Sequence, residues 1–198
     1  MYFFCLKVVS LYYKIFFRAK FRGVENIPKE GGLLICVNHL SNNDPVIVAS
    51  HIRRKLCFMA KKELFGIPVL KSIITAFGAF PIDRSVSDLG AVRTTMSILK
   101  EGNALMMFPE GRRNKEFVAE KIKPGALTIA AKSGVSLLPV YIEGRFRLFS
   151  KVTVHYGKPV PAEELKAVVV EAAKDSENKN MIISQYLYDL IKGAGEES

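Results

Sequence analysis

The chain has 198 residues, 49% of them hydrophobic, with a mean hydropathy of +0.15, which is enough for one buried core and too little for a multi-span membrane protein. Its 29 Lys and Arg against 19 Asp and Glu give a net charge of +10, and the basic residues are dispersed over several clusters, among them 53–55, 112–115, 121–123 and 145–151, without a nucleic-acid motif, so anionic headgroups and not nucleic acid are the expected partners and each cluster reads as a solvated rim. Three cysteines, Cys5, Cys36 and Cys57, are an odd number without metal or disulfide spacing, which points to reduced, cytosolic thiols.

Residues 2–17 are apolar almost throughout, and the exceptions recur with the period of a helix: Lys7, Ser10, Lys14 and Arg18 fall at intervals of three, four and four. A helix gathers them into one cationic stripe opposite a wide apolar face, the pattern of a helix lying in a membrane interface. A spanning helix needs about twenty apolar residues and pays roughly 2.5 to 3.5 kcal/mol for each central lysine, which disfavours that reading. A secretory signal is excluded too, because the charge falls inside the apolar run and no small-residue cleavage site follows. Residues 1–22 are therefore assigned to a membrane-associating amphipathic helix, 23–193 to a single domain, and 194–198 to a frayed tail.

After Gly31 and Gly32 the run 33–37 is continuously apolar, as in a strand buried on both faces. Asp44 reads as an N-cap and Pro45 as the first residue of a helix running toward Arg53, Arg54 and Lys55. Further strands are predicted at 56–60, 80–82, 104–108, 136–142 and 152–156, and helices at 68–77, 88–101, 124–132 (stopped by Gly134) and 181–191, the last docking through Ile182, Tyr186 and Leu190. Pro139 predicts that its strand is an edge or bulged. The alternating order defines an α/β fold: a single-domain mixed central sheet flanked by helices, with the amphipathic interface helix at the N-terminus.

Two loops between these elements concentrate chemistry. His39 and Asp44 stand five apart, which matches neither the helical period nor the strand period, so a turn between strand and helix must bring them together. There the carboxylate fixes one imidazole nitrogen and leaves the other free to accept a proton. No G-x-S-x-G elbow and no reactive cysteine spacing supplies a nucleophile, so the attacking group is expected to belong to the substrate. The free amides at the start of the helix after Pro45 are candidate donors for an oxyanion. At 108–114, FPEGRRN places Arg112 and Arg113 beside Gly111 at a strand end, where guanidinium forks and a close backbone approach suit an anion. Asp83 and Arg84 arrive at the end of the strand at 80–82. On these residues alone a loop histidine beside a plain helix cap, a solvated arginine turn and a surface ion pair stay open as alternatives. His51 and His155 lack metal-ligand spacing, no phosphate-binding glycine loop is present, and no metal or cofactor is expected.

Taken together, NHLSNND (38–44), GAFPIDR (78–84), FPEGRRN (108–114) and LPV (138–140), with GVENIP (23–28) and AKKELFGIP (60–68) between them, closely resemble the blocks and connecting segments of the glycerolipid acyltransferase family, in its bacterial branch acting on 1-acylglycerol 3-phosphate. The resemblance covers about residues 20–160. It implies that His39 is the general base and Asp44 its orienting partner, that Arg84, Glu110, Gly111 and Arg113 handle the acceptor's phosphate, and that Pro139 is structural. It further implies an acyl thioester donor, acyl-CoA or acyl carrier protein, lysophosphatidic acid as acceptor, phosphatidate as product, and a peripheral or monotopic place at the cytoplasmic face of the cell membrane. The third block commonly reads F-P-E-G-T-R-S, so Arg112 and Asn114 depart from it; a shifted register would hand the role of Arg113 to Arg112. Glycerol 3-phosphate or another lysolipid as acceptor, and a non-catalytic module binding anionic lipid, are the rival expectations.

Overall fold

The computed structural model describes residues 2–76, 78–82 and 89–196. Its strands are β1 (Lys20–Arg22), β2 (Leu33–Val37), β3 (Leu56–Lys61), β4 (Ala79–Ile82), β5 (Ala104–Met107), β6 (Ser136–Gly144) and β7 (Val152–Tyr156). They form one sheet in the order β1-β7-β6-β2-β5-β3-β4, with every neighbouring pair parallel except β6 and β7. The helices are α1 (Tyr2–Phe16), α2 (Asp44–Ala49), α3 (Pro68–Ala76), α4 (Leu89–Lys100), α5 (Gly125–Ser133), α6 (Ala162–Ala172) and α7 (Lys179–Glu196). The mixed sheet flanked by helices is the architecture expected from the element order.

The period of two along β2 divides the core. Leu33, Ile35 and Val37 face a cluster that includes Ile47 and Val48 of α2 and Leu6 and Tyr13 of α1. Leu34 and Cys36 face the opposite cluster with Leu99, Leu127, Leu165 and Leu187 of α4 to α7. A strand sandwiched in this way must be apolar at every position, and all five residues of β2 are buried. The functional loops leave from the carboxyl ends of β2 and β5, which lie side by side in the sheet, the place where open parallel sheets hold their ligands.

Four expectations need correction. Helix α2 ends at Ala49, short of the cationic run; Ser50 Oγ donates to Ile47 O, and the Arg54 guanidinium instead gathers the carbonyls of Pro28, Gly31 and Gly102. Pro139 lies in an interior strand, paired with Cys36 of β2, so the edge alternative fails, while the bulge alternative holds: Val140 pairs with Tyr156 but Leu137 with Val160, a one-residue slip in register across Pro139. Its missing N–H falls where the β7 ladder ends, and Gly157 N still donates to the Pro139 carbonyl at 2.9 Å. The last helix begins at Lys179 and continues to Glu196, with Ala194 buried, so residues 194–196 belong to the helix and not to a frayed tail; its fully buried residues include Ile183, Leu187 and Ile191, and of the expected Ile182, Tyr186 and Leu190 the last two pack against the core while Ile182 is exposed, the Tyr186 hydroxyl donating to the Glu164 carboxylate at 2.7 Å. The stripe on α1 is also broken. Lys7 and Lys14 are exposed, but Ser10 is buried, and Arg18 follows the end of the helix with a left-handed φ of 41°.

Candidate active site

The turn between β2 and α2 is built around one carboxylate. Asn38, 1% exposed, continues the sheet after β2 ends: its side chain pairs with the Ile142 backbone on β6, donating to the carbonyl at 3.0 Å and accepting from the amide at 2.7 Å. The chain then turns. Asp44 is not the N-cap; Asn43 holds that position and Asp44 is the first helical residue. Its side chain points back into the turn, where Oδ2 accepts from Leu40 N and Ser41 N, each at 2.7 Å, and meets His39 Nδ1 at 2.9 Å. The carboxylate is completely buried and the imidazole is 13% exposed. Two backbone donors hold the carboxylate, and the carboxylate holds the ring. With Nδ1 so engaged, Nε2 is the nitrogen left to exchange a proton. Asp44 Oδ1 is buried without a donor among the described residues.

The second loop closes over the first. Glu110, 3% exposed, accepts the His39 backbone N–H through Oε2 and the Asn114 side-chain amide through Oε1 at 2.9 Å, while Asn114 N donates to the His39 carbonyl at 2.9 Å. Phe108 stacks on the imidazole with ring centroids 4.0 Å apart. His39 is thus gripped by its backbone, its ring face and Nδ1. Burial holds the Glu110 carboxyl above its usual range, with the hydrogen bonds from Asn114 and His39 pulling the other way. Both oxygens of Glu110 are occupied within the protein, and its expected phosphate contact meets a carboxylate turned inward. Asn114, at the position where the third block departs from the common pattern, is the residue that completes this link.

Gly111 has a left-handed φ of 71°, which an L side chain rarely adopts. A Cβ there would lie 3.4 Å from Lys123 Nζ, and Lys123 N donates to the Pro109 carbonyl. The Lys123 ammonium therefore stands over the turn that carries Arg112 and Arg113, both of them exposed. Lys121 and Lys123 are both exposed, as the reading of 121–123 as a solvated rim expects; nothing in its local sequence distinguishes Lys123 from Lys121, and the return of the chain before α5 is what puts it beside Gly111. A cavity of about 370 Å³ opens beside these residues, lined by His39, Gly111 and Lys123 together with apolar side chains such as Met59, Ile82 and Ile129. Asp83 and Arg84 lie outside the described residues.

The expected oxyanion donors at the start of α2 are not free: Asp44 N, Val46 N and Ile47 N all bond within the turn, Pro45 has no N–H, and Leu40 N and Ser41 N serve Asp44. Among the described residues no group of His, Cys, Asp or Glu is arranged to hold a metal ion. His51 stacks on Phe21 at 3.5 Å, and burial together with Lys14 and Arg53 lowers its pKa to about 4. His155 is buried on β7, with Glu143 3.4 Å away.

A buried carboxylate thus orients an imidazole at a cavity mouth, beside cations and at the carboxyl ends of parallel strands. The sequence model of the Acyltransferase family matches residues 18–143, and the chain belongs to that family. It is 30% identical to the 1-acyl-sn-glycerol-3-phosphate acyltransferase of Bacillus subtilis, over 90% of this chain and 98% of that protein. It is also 30% identical to the enzyme of the same name from Streptococcus pneumoniae, over 87% of this chain and 67% of that protein. Among solved structures, the crystal structure of the 1-acyl-sn-glycerophosphate (LPA) acyltransferase PlsC from Thermotoga maritima superimposes with a TM-score of 0.71 at 27% identity, covering 97% of this chain and 79% of that one.

Proposed function

We propose that this chain transfers a fatty acyl group from a thioester, carried by coenzyme A or acyl carrier protein, to the free hydroxyl of 1-acylglycerol 3-phosphate, forming phosphatidate at the cytoplasmic membrane surface. The observation that carries this reading is the 2.9 Å contact between His39 Nδ1 and the buried Asp44 carboxylate. His39 Nε2 accepts the hydroxyl proton as the oxygen attacks the thioester carbonyl. The tetrahedral intermediate then expels the thiolate, and the imidazolium, held by Asp44, returns the proton to the departing sulfur. No protein nucleophile takes part: Ser41 Oγ is turned to Asn43, and burial pushes the Cys36 and Cys57 thiols up, away from thiolate character. The names of the relatives support the acceptor assignment, and the cavity's apolar lining suits an acyl chain.

Lys123 and Arg113, with Arg84, bind the acceptor's phosphate, and Gly111 lets the backbone approach it. Glu110 acts indirectly, by fixing the His39 backbone. Helix α1 lies on the bilayer; no helix among the described residues is long and apolar enough to cross a membrane.

The test is steady-state kinetics with matched thioester donors and a panel of 1-acylglycerol 3-phosphate, glycerol 3-phosphate and uncharged lysolipids. Lys123→Ala and Arg113→Ala are each expected to raise KM for 1-acylglycerol 3-phosphate about tenfold or more, the value of a charge-assisted hydrogen bond, with kcat nearly kept. Arg112→Ala is expected to do less. A rise in the donor's KM alone would assign these cations to the donor, and a preference for glycerol 3-phosphate would reassign the acceptor.

A further inference from the structure

The apolar surface of α1 does not end with the helix. Leu6, Ser10 and Tyr13 turn inward, while Val8, Leu11, Tyr12, Ile15 and Phe16 stand exposed on the other side. At the C-terminal end of α1 the loop between β6 and β7 comes alongside: Phe149 N donates to the Phe16 carbonyl at 2.6 Å, and Phe146 packs edge-on against Tyr13 and Phe17 with centroids 6.1 and 5.8 Å away. At the tip, Leu148 is 63% and Phe149 56% exposed. Phe149 holds its ring outward from a left-handed φ of 63°, a conformation costly for an aromatic residue. Ser150 braces this shape, its hydroxyl bonded to the Arg145 and Arg147 carbonyls. Arg145, Arg147 and Lys151 surround the tip and are all exposed.

We propose that the β6–β7 loop is a second membrane anchor, which inserts Leu148 and Phe149 among the acyl chains of an anionic bilayer while Arg145, Arg147 and Lys151 meet lipid phosphates. This rests on the membrane reading of α1 and extends it to a different segment. The occupant is a lipid surface because two adjacent bulky apolar side chains ringed by three cations match an interface that is apolar below and anionic above, and because the tip is continuous with the exposed face of α1. Both anchors are tied to the catalytic turn. Tyr13 Oη on α1 donates to Asn43 Oδ1 at 3.0 Å, and β6 reaches Asn38 through the paired bonds at Ile142. Two points of attachment fix the tilt of the domain, and with it the height of His39 above the lipid from which an amphiphilic acceptor enters.

The chain has no tryptophan, so Phe149→Trp and, separately, Tyr12→Trp each create a single fluorescent reporter. With vesicles of phosphatidylglycerol and phosphatidylcholine, the emission of both is expected to shift to the blue and to be quenched by brominated acyl chains. A shift at Tyr12→Trp alone overturns the loop anchor and leaves the α1 reading standing; no shift at either overturns both. Glycine accepts the φ of Phe149 without strain, so Leu148→Ser/Phe149→Gly is expected to keep the melting temperature while weakening vesicle binding roughly tenfold. Turnover should fall on vesicle-embedded acceptor and hold on a short-chain, monomeric acceptor. Equal loss on both acceptors, unchanged vesicle binding, or dimerisation of the wild type through this loop without lipid would contradict the proposal.

Discussion

Replacing His39 with Ala is expected to lower kcat by roughly a hundred- to ten-thousandfold, the usual worth of a positioned general base, with little change in vesicle binding or fold. The imidazole is partly open to the cavity, its loss removes the Asp44 contact and the Phe108 stack, and the backbone bonds of residue 39 to Glu110 and Asn114 do not depend on the side chain. Transfer assays on vesicle-embedded 1-acylglycerol 3-phosphate, beside sedimentation with the same vesicles, measure both quantities. Full activity of His39→Ala would remove the base from the reaction. Loss of membrane binding together with activity would indicate a damaged fold.

Asp44→Asn is expected to have the second large effect and to touch stability as well. The carboxylate accepts three bonds on one oxygen while completely buried. An amide oxygen can still take the Leu40 and Ser41 N–H groups, but it brings no charge to an imidazolium and can present an N–H where Nδ1 needs an acceptor. The analogous change in a serine protease triad costs about ten-thousandfold in kcat; here a loss of a hundredfold or more is expected. Charge-assisted bonds exchanged for neutral ones lower stability by about 1 to 3 kcal/mol, readable by urea denaturation. A variant that loses stability but keeps kcat would make Asp44 a structural residue of the turn and nothing more.

Much of this site was legible because the sequence pattern there is local. Five uninterrupted apolar residues after a glycine turn look like a strand covered on both faces, and a histidine and an aspartate five apart meet only in a turn. The direction of the Asp44 side chain was not legible: a helix-start aspartate suggests capping, whereas the Leu40 and Ser41 amides draw it backward. The inward bonds of Glu110 were not legible for a related reason, because an acidic residue beside arginines gives no sign that a backbone N–H 71 residues earlier, at His39, will claim it. Lys123 depends on chain return and has no local signal. Helix α6 went unrecognised because Val168, Val169 and Val170 favour strands, and β1 because a three-residue edge strand with two cations reads as a linker. The interior place of Pro139 depends on where β7 stops, which only the sheet order reveals.

Direct attack by the acceptor, with His39 as base, is tested most sharply by incubating the protein with a long-chain acyl thioester and no acceptor, then measuring intact mass after a rapid acid quench. The expected spectrum shows the unmodified chain, and addition of 1-acylglycerol 3-phosphate yields acylated lipid while the protein mass stays constant. A protein adduct of one acyl group, formed at a rate fast enough for turnover and discharged when acceptor is added, would contradict the mechanism and place a nucleophile on the protein.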